Sequence, residues 1–283
     1  MTTNNVWFVT GASKGLGLTL VRQLLAAGYA VAATSRRLAD LQQAVSADTA
    51  RFLPLQMDLG SAESVREAIE ATISTLGGLN VVVNNAGYGL VGGLEELTDQ
   101  DARQNFDVNV FGLLHVLRAA TPHLRQQRAG QVFNISSIGG FTGNFPGFGI
   151  YCGTKFAVAG ITESYAAEMK DFNVHATVVY PGYFRTEFLS AGSLGTPQNP
   201  IAAYQSIRDS QVAHEQQING NQPGDPVKAA QVLMQISEAE SPPVHLFLGE
   251  DAYQLAAQKI AAVQQDLRQW QAVASATSFP VEA

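Results

Sequence analysis

The sequence lacks several features that would point to other classes of function. Its only cysteine, Cys152, rules out an internal disulfide, and its five scattered histidines lack the paired spacing that a metal site needs. No window holds about eighteen consecutive apolar residues, so we expect no transmembrane helix. The net charge is −7 and no cluster of lysine or arginine stands out, which argues against nucleic acid or an anionic membrane as the main partner.

A targeting signal is also missing from the start of the sequence. An apolar run begins at Val6, and neither a basic segment nor a cleavable apolar segment precedes it. Together with the single cysteine, this pattern favours a cytoplasmic protein.

Apolar residues are plentiful, at 46% of 283 positions, which allows one α/β domain with a large core. Short valine-rich runs alternate with helical patterns, as is typical of parallel strands that are buried on both faces. The sequence therefore predicts a three-layer α/β/α, Rossmann-type fold with a doubly wound parallel sheet of about seven strands. The predicted strands are 6–10, 29–34, 52–56, 81–83, 131–135, 174–180 and 244–248. The predicted helices are 16–27, 39–47, 62–76, 99–108, 109–127, 151–170, 201–217 and 251–270.

The stretch Tyr151–Lys155 carries the strongest chemical signal. Residues four apart share one face of a helix, so the phenol of Tyr151 and the ammonium of Lys155 would be neighbours. A cation favours the phenolate, and tyrosine needs such help to exchange protons near neutral pH because its ordinary pKa is ~10. The alternative is a half-buried tyrosine and a solvated lysine on an amphipathic helix.

Three glycines, Gly11, Gly15 and Gly17, follow the first predicted strand and open the first helix. Backbone N–H groups and the helix dipole attract phosphate at such a junction, so the glycines predict a nucleotide site. Their spacing, G-x-x-x-G-x-G, differs from the G-x-G-x-x-G fingerprint. Glycines that serve only helix-to-strand packing are the alternative.

The end of the second strand indicates which nucleotide is bound. An acidic residue there would bind the ribose 2′-hydroxyl, whereas Thr34–Arg37 offers two guanidinium groups and no carboxylate. Arg36 can bind a 2′-phosphate through a fork of donors, and Lys14 can add a second positive charge from the glycine loop. These residues favour NADP(H) over NAD(H).

With these motifs, the chain resembles the short-chain dehydrogenase/reductase family over nearly all of its first 250 positions. The resemblance rests on the glycine loop, on Asp58 after the third strand, and on the motifs Asn84-Asn85-Ala86-Gly87, Asn109, Ser137, Tyr151-x-x-x-Lys155 and Pro181-Gly182 followed by Thr186. It implies that Tyr151 is the general acid or base and that Ser137 orients the substrate oxygen. It also implies that Lys155 lowers the pKa of Tyr151 and holds the nicotinamide ribose, while Asn109 supports the lysine and a proton-relaying water.

The resemblance also implies a set of cofactor-binding residues, which extends the glycine loop to the ends of the other strands. Asp58 is implied to meet the adenine amino group, and the small residues after the fourth strand suit main-chain contacts with adenosine. The full set is Gly11, Ser13, Lys14, Gly15, Leu16, Gly17, Ser35, Arg36, Asp58, Leu59, Asn85, Ala86, Gly87, Asn109, Tyr151, Lys155, Pro181, Gly182, Phe184 and Thr186.

Three of the polar site residues also fit a purely structural role. Ser137 could be a turn serine at a strand end, Asp58 could be a helix N-cap, and Asn109 could cap or kink a helix. Ser137 also precedes Tyr151 by one position more than is usual in the family, through a glycine-rich loop that can absorb the extra residue. Alternation along the strand does not separate Ser136 from Ser137, and the family motif favours Ser137.

Aromatic residues near the predicted reacting pair suggest an apolar substrate pocket. The predicted wall consists of Tyr88, Phe145, Phe148, Tyr183 and Phe188, and the loop also brings Phe141 close. Core packing is the alternative and applies to at least some of them.

We expect residues 1–250 to form the dinucleotide-binding and catalytic domain, and 251–283 to form a helical extension and tail. Within the domain, residues 184–225 are rich in small and polar side chains and suit a substrate-binding lid, with an ordinary surface insertion as the alternative. Family members are often homodimers or homotetramers built through the helices at 109–127 and 151–170.

The expected function is NADP(H)-dependent interconversion of a ketone or aldehyde and an alcohol, with a small apolar, aromatic or hydroxysteroid-like substrate. Two alternatives share the scaffold. One is a non-catalytic NADP(H)-sensing protein, and the other is an epimerase or dehydratase that keeps the tyrosine and the lysine.

Overall fold

The computed structural model describes residues 5–279 except 48 and 191. In chain order, its strands are β1 (Val6–Val9), β2 (Ala30–Ser35), β3 (Phe52–Gln56), β4 (Val81–Asn84), β5 (Gly89–Leu90), β6 (Gly130–Ile135), β7 (Val174–Pro181), β8 (Leu194–Gly195) and β9 (His245–Leu248). The main sheet has seven strands in the order β3-β2-β1-β4-β6-β7-β9, and all of its pairs are parallel. The predicted doubly wound parallel sheet is therefore confirmed.

The helices are α1 (Gly15–Ala26), α2 (Leu38–Val45), α3 (Ala62–Leu76), α4 (Asp99–Phe106), α5 (Gly112–Gln127), α6 (Gly149–Met169), α7 (Gln205–Val212), α8 (Pro226–Ser237) and α9 (Glu250–Ala274). Two π-helical stretches, Asp107–Phe111 and Ala213–Ile218, continue α4 and α7. In the described part of the chain, no helix is long and apolar enough to cross a membrane.

Side chains of β1 show why the fold has three layers. All four residues of β1 are buried. Trp7 and Val9 pack into a core with α1 and α8, whereas Phe8 faces the opposite core, with α3, α5 and α6. Because successive strand residues point to opposite faces, this one strand has to be apolar throughout.

The order in which strands are added to the sheet reverses between β1 and β4, which are parallel neighbours. The helices that follow these two strands cover opposite faces, so the carboxyl ends of β1 and β4 open a crevice between them. Such a switch point is where open α/β sheets bind their ligands.

Helix α8 was missing from the expected elements, which included nothing between the helix at 201–217 and the strand at 244–248. Proline suits the first position of a helix, and here Pro226 follows the N-cap Asp225, whose side chain accepts a hydrogen bond of 2.8 Å from the N–H of Val227. Ala230 and Leu233 of α8 are fully buried in the core beside α1. The helix expected at 201–217 begins at Gln205 and becomes π-helical from Ala213 to Ile218.

Two short pairings fix the segment 184–225, which follows the carboxyl end of β7. The short strand β8 pairs with β5, and Phe184 forms a bridge with Gly224 within the segment. The segment's role as a lid stays a prediction.

The C-terminal helix α9 extends from Glu250 to Ala274, beyond the expected 251–270. Ala252 and Ala256 pack near Ile138, and the described residues from 257 onward are exposed. Residues 280–283 of the expected tail lie outside the described residues.

Candidate active site

One cavity of about 730 Å³ occupies the crevice at the carboxyl ends of the strands. It runs from the glycine loop and Arg36 to an aromatic region around Tyr151. All of the predicted cofactor residues line it except Gly17 and Asn109, and all five of the predicted pocket aromatics line it as well.

Helix α6 brings Tyr151 and Lys155 to the wall of this cavity, one turn apart and both buried. Lys155 Nζ donates a hydrogen bond of 2.8 Å to the carbonyl oxygen of Ile135 at the end of β6. The same nitrogen lies 5.8 Å from the centre of the Tyr151 ring. Both side chains are buried, so the alternative of a half-buried tyrosine and a solvated lysine is wrong.

Burial shifts the pKa values of these two groups in opposite directions. It raises the pKa of Tyr151 well above the ordinary value of 10.0, while the nearby Ser137 hydroxyl lowers it by a smaller amount. Burial lowers the pKa of Lys155 from 10.5 to about 8. Desolvation is thus the largest cause of both shifts, and for Tyr151 it favours the neutral phenol.

The two serines after β6 have different surroundings. The buried Ser136 hydroxyl donates a hydrogen bond of 2.8 Å to the carbonyl oxygen of Lys155. Ser137 Oγ faces Tyr151 and accepts a hydrogen bond of 3.0 Å from the N–H of Gly139. Because that bond uses a lone pair of Ser137, the hydroxyl proton is free to be donated into the cavity.

Asn109 lies within the π-helical stretch between α4 and α5 and is buried. Its amide nitrogen donates to the Tyr88 carbonyl at 3.0 Å and to Thr154 Oγ1 at 3.1 Å, and its Oδ1 accepts from the Tyr88 N–H at 3.0 Å. No hydrogen bond joins its side chain to Lys155 in the described residues. The side chain instead fixes the loop after β4 against α6, beside the lysine.

Close backbone packing holds the glycine loop against the loop after β4. Gly11 has a φ of +64°, and a Cβ there would lie 2.7 Å from the Cα of Ala86. Asn85 Nδ2 donates to the carbonyl oxygens of Thr10 and Gly11 at 2.9 and 3.0 Å. A Cβ on Gly17 would lie 2.4 Å from the same amide nitrogen. Gly17 therefore supports the loop from behind, which explains why it does not line the cavity.

Helix α1 presents an uncapped N-terminus to the cavity. Its N-cap residue, Lys14, makes no side-chain capping bond, and its first turn contains no acidic residue. The Lys14 ammonium instead donates to Ser193 Oγ at 2.5 Å and to the Gly192 carbonyl at 3.4 Å. This lysine thus joins the glycine loop to the segment 184–225, whereas a 2′-phosphate contact was expected for it.

Arg36 and Arg37 differ although they are adjacent. Arg37 forms an ion pair of 2.6 Å with Asp40. Arg36 lines the cavity and has no hydrogen bond or ion pair with any other residue that the structure describes. Its guanidinium is therefore available to an anion.

The alternative for Asp58 as a helix N-cap is wrong. Ser61 caps α3 and accepts a hydrogen bond of 3.2 Å from the N–H of Ser64. Asp58 Oδ1 accepts a hydrogen bond of 2.9 Å from the N–H of Gly60, and the residue lines the cavity.

Thr186 lies across from the glycine loop, 3.7 Å from where a Cβ on Gly15 would be.

Aromatic rings surround Tyr151 on the substrate side. Phe148 and Phe188 lie 6.3 and 5.9 Å from its ring centre. Phe141 instead packs on Tyr180 and Phe247 in the core, away from the cavity. The core interpretation thus applies to Phe141.

Two cavity residues, His214 and Gln222, were not among the predicted site residues. His214 is buried, with its Nε2 atom 2.9 Å from the Tyr183 hydroxyl and its Nδ1 atom 2.7 Å from the Ser210 carbonyl. Gln222 is 2% exposed. Both come from the segment 184–225, where the sequence shows no local pattern that would mark them. In the described ranges, no group of three histidine, cysteine or acidic side chains could hold a metal ion.

Comparisons with known proteins place this architecture among related enzymes. The family model "short chain dehydrogenase" matches residues 5–194. Oxidoreductase BOA17 of Botryotinia fuckeliana is 30% identical over 274 residues, which is 96% of this chain and 99% of that protein. A 3-ketodihydrosphingosine reductase of Bacteroides thetaiotaomicron is 33% identical over 243 residues, or 85% of this chain and 86% of its own.

Solved structures share the fold. A short-chain dehydrogenase from Streptomyces avermitilis is 33% identical with a TM-score of 0.89, over 97% of this chain and 98% of that one. A short chain dehydrogenase from Burkholderia cenocepacia was solved with NADP and is 25% identical, with a TM-score of 0.70 over 94% and 96% of the two chains. A relative from Burkholderia phymatum was solved with NAD and is 21% identical, with a TM-score of 0.74 over 99% and 97%, which shows the fold alone.

Proposed function

We propose that this chain, which belongs to the short-chain dehydrogenase/reductase family, reduces an apolar ketone or aldehyde to an alcohol with NADPH, and catalyses the reverse reaction with NADP. The observation that carries the proposal is the convergence of Tyr151, Ser137 and Lys155 in a cavity that continues to the uncapped end of α1.

Reduction of a carbonyl builds negative charge on its oxygen, so hydrogen-bond donors are needed at that point. Tyr151 is neutral at neutral pH because burial raises its pKa, and it can give up its proton to that oxygen. The Ser137 hydroxyl keeps its proton available for the same oxygen because Gly139 occupies its acceptor side. The charged form of Lys155 stabilises the phenolate that is left behind.

The residues along the rest of the cavity fit a nicotinamide dinucleotide. The first N–H groups of α1 have no side-chain cap and suit a pyrophosphate, and Gly11 and Gly15 line the cavity without side chains that would keep a ligand from the main chain. Asp58, Asn85 and Gly87 would hold the adenosine side, and Lys155, Pro181 and Thr186 the nicotinamide side. When bound, this cofactor supplies the hydride.

A preference for NADP(H) follows from Arg36. This side chain is exposed at the end of β2, lines the cavity, and has no competing ion pair with another described residue. A 2′-phosphate gives it a partner of opposite charge, whereas a ribose hydroxyl does not. Ser35 can add a neutral hydrogen bond beside it.

An apolar carbonyl compound suits the other end of the cavity. Phe148, Phe188 and Phe145 contribute apolar surface near Tyr151, together with Leu189. One relative carries the name of a reductase of 3-ketodihydrosphingosine, which is a ketone. Small carbonyl compounds in the cytoplasm are therefore the substrates that we propose.

A spectrophotometric assay tests this function. Purified protein is mixed with NADPH and a panel of aliphatic and aromatic ketones and aldehydes, and the loss of reduced-nicotinamide absorbance is followed together with the alcohol product. We expect substrate-dependent oxidation of NADPH, slower with NADH. Tight NADPH binding without turnover on any member of the panel would contradict the proposal and favour an NADP(H)-sensing protein. Conversion of an alcohol into its epimer or an alkene, without net change in the cofactor, would favour an epimerase or dehydratase.

A further inference from the structure

Gln222 is a buried side chain whose hydrogen-bonding groups are unused. It is 2% exposed, it lines the cavity, and neither its Oε1 nor its Nε2 has a hydrogen-bond partner among the described residues. A buried polar group without a partner is unfavourable, so folded proteins rarely keep one without a reason. An amide in a cavity wall becomes satisfied when a ligand brings both an acceptor and a donor.

The backbone holds Gln222 in place independently of its side chain. Its carbonyl oxygen accepts hydrogen bonds of 3.3 and 3.1 Å from the Arg185 guanidinium. Gly224, two residues on, donates to the Tyr183 carbonyl at 2.9 Å, and its own carbonyl accepts from the Arg185 N–H at 2.9 Å. The backbone at Gln222 is thus fixed beside the backbone at Tyr183. No hydrogen bond of the Gln222 side-chain amide to another described residue contributes to this placement.

Tyr183 forms a second polar group in the same cavity. His214 Nδ1 lies 2.7 Å from the Ser210 carbonyl, which can only accept, so Nδ1 carries a proton. In neutral His214 the Nε2 atom is then an acceptor, and the Tyr183 hydroxyl donates to it over 2.9 Å. Since the Tyr183 proton is used in this way, the tyrosine oxygen offers lone pairs to the cavity.

This polar region lies close to the predicted reacting group. The Phe148 ring is 4.7 Å from the His214 ring and 6.3 Å from the Tyr151 ring, measured between centres. It therefore contributes apolar surface next to both His214 and Tyr151. A substrate whose carbonyl reaches Tyr151 would bring a more distant substituent toward Tyr183 and Gln222.

We propose that Gln222 and Tyr183 form a substrate subsite that selects ketones bearing a hydroxyl group at some distance from the carbonyl. A hydroxyl is both donor and acceptor, so it can accept from Gln222 Nε2 and donate to Gln222 Oε1 or to the Tyr183 oxygen. A carboxylate fits less well, because it has no proton to give to the two acceptors. The subsite rests on the proposed function, because it acts only on a substrate that is reduced at Tyr151.

A matched pair of substrates tests the subsite. Two apolar ketones of the same skeleton are compared, one with and one without a distal hydroxyl, and kcat/KM is measured with saturating NADPH. We expect the hydroxyl to raise kcat/KM about 10- to 100-fold, the effect of one or two buried hydrogen bonds. In Gln222→Met, which keeps the length of the side chain, this ratio should fall toward one. Tyr183→Phe should lower the same ratio and provides a second variant.

Controls separate the possible failures. Gln216→Met makes the same change on an exposed glutamine of the same segment and should leave the ratio unchanged. An unchanged ratio in both Gln222→Met and Tyr183→Phe would overturn the subsite while leaving the reductase intact. A weaker NADPH Kd in Gln222→Met with an unchanged ratio would also overturn it, because the amide would then serve the cofactor. If the parent protein reduces neither ketone nor any other carbonyl compound, the proposed function itself fails.

Discussion

The ammonium nitrogen of Lys155 lies 5.8 Å from the centre of the Tyr151 ring, and both residues are buried in the wall of one cavity. Their shared burial has a consequence that the spacing of four residues does not reveal. It moves the pKa of the phenol up and that of the ammonium down, to about 8 for Lys155. The lysine, and not the tyrosine, is therefore the group that titrates first as the pH rises.

This order of titration predicts the pH dependence of reduction. Below pH 8 the tyrosine carries its proton and the lysine its charge, so kcat for ketone reduction should be level. As the pH rises through about 8, Lys155 loses the charge that stabilises the phenolate, and kcat should fall. In Lys155→Arg, whose guanidinium stays charged, the remaining activity should not fall in this range. A parent profile that stays level up to the ordinary lysine pKa of 10.5 would contradict the assignment.

The adjacent arginines allow a matched test of cofactor choice. Arg36→Asp should shift the ratio of kcat/KM for NADPH over NADH by about tenfold or more toward NADH, because it removes the phosphate partner and restores an acceptor for the ribose hydroxyl. Arg37→Asp makes the same change in charge at a side chain that already pairs with Asp40, and it should change the ratio much less. Equal shifts in both variants would indicate a general electrostatic effect and contradict the specific role of Arg36.

The two neighbouring serines should affect different properties of the protein, with Ser137 affecting kcat and Ser136 affecting stability. Ser137→Ala should lower kcat about 10- to 100-fold, because a donor to the developing oxyanion is lost. Ser136→Ala breaks a buried bond to the Lys155 carbonyl and should lower the free energy of unfolding by about 1 kcal/mol in urea titrations. If Ser136→Ala caused the larger loss of kcat at unchanged stability, the two assignments would have to be exchanged.

The glycine loop should tolerate little change at Gly17. In Gly17→Ala the new methyl would lie 2.4 Å from Asn85 Nδ2 and 2.8 Å from the Gly11 carbonyl, so either the loop or helix α1 has to shift. We expect a loss of about 1–3 kcal/mol in the free energy of unfolding, together with weaker NADPH binding.

Gly160→Ala is the control for that substitution. Gly160 lies within α6 and has no neighbouring atom within 4 Å of the added methyl, so helix propensity should make the protein about 1 kcal/mol more stable. A Gly17→Ala protein as stable as the parent would show that the loop adapts without cost.

The parts of this molecule that follow from local patterns could be predicted from the sequence. Valine-rich strands of a parallel sheet are recognisable because both faces are buried, and the residues after each strand necessarily meet at one edge. Helix α8 was missing from the predicted helices, although it begins at Pro226 and proline suits the first position of a helix. Asp58 and Ser61 show the same difficulty at a cap, since either residue type can fill that position.

The residues at the substrate end of the cavity could not be predicted from local sequence patterns. His214 reaches Tyr183 across 31 positions of sequence, and Gln222 enters the cavity from a loop with no regular period. The directions of the pKa shifts could not be predicted either. The spacing of Tyr151 and Lys155 shows that they are close, but it does not show the burial that is the largest cause of both shifts. Such features depend on tertiary contacts, which no local pattern in this segment encodes.

The measurement that tests the account most directly compares Tyr151→Phe with the parent protein, using a ketone that the parent reduces. The substitution removes the hydroxyl and keeps the ring, so kcat with saturating NADPH should fall about 100-fold or more. The Kd for NADPH, measured by fluorescence titration, and the unfolding temperature should change little. A Tyr151→Phe protein that keeps the parent kcat would contradict proton donation by this tyrosine, and with it the central claim.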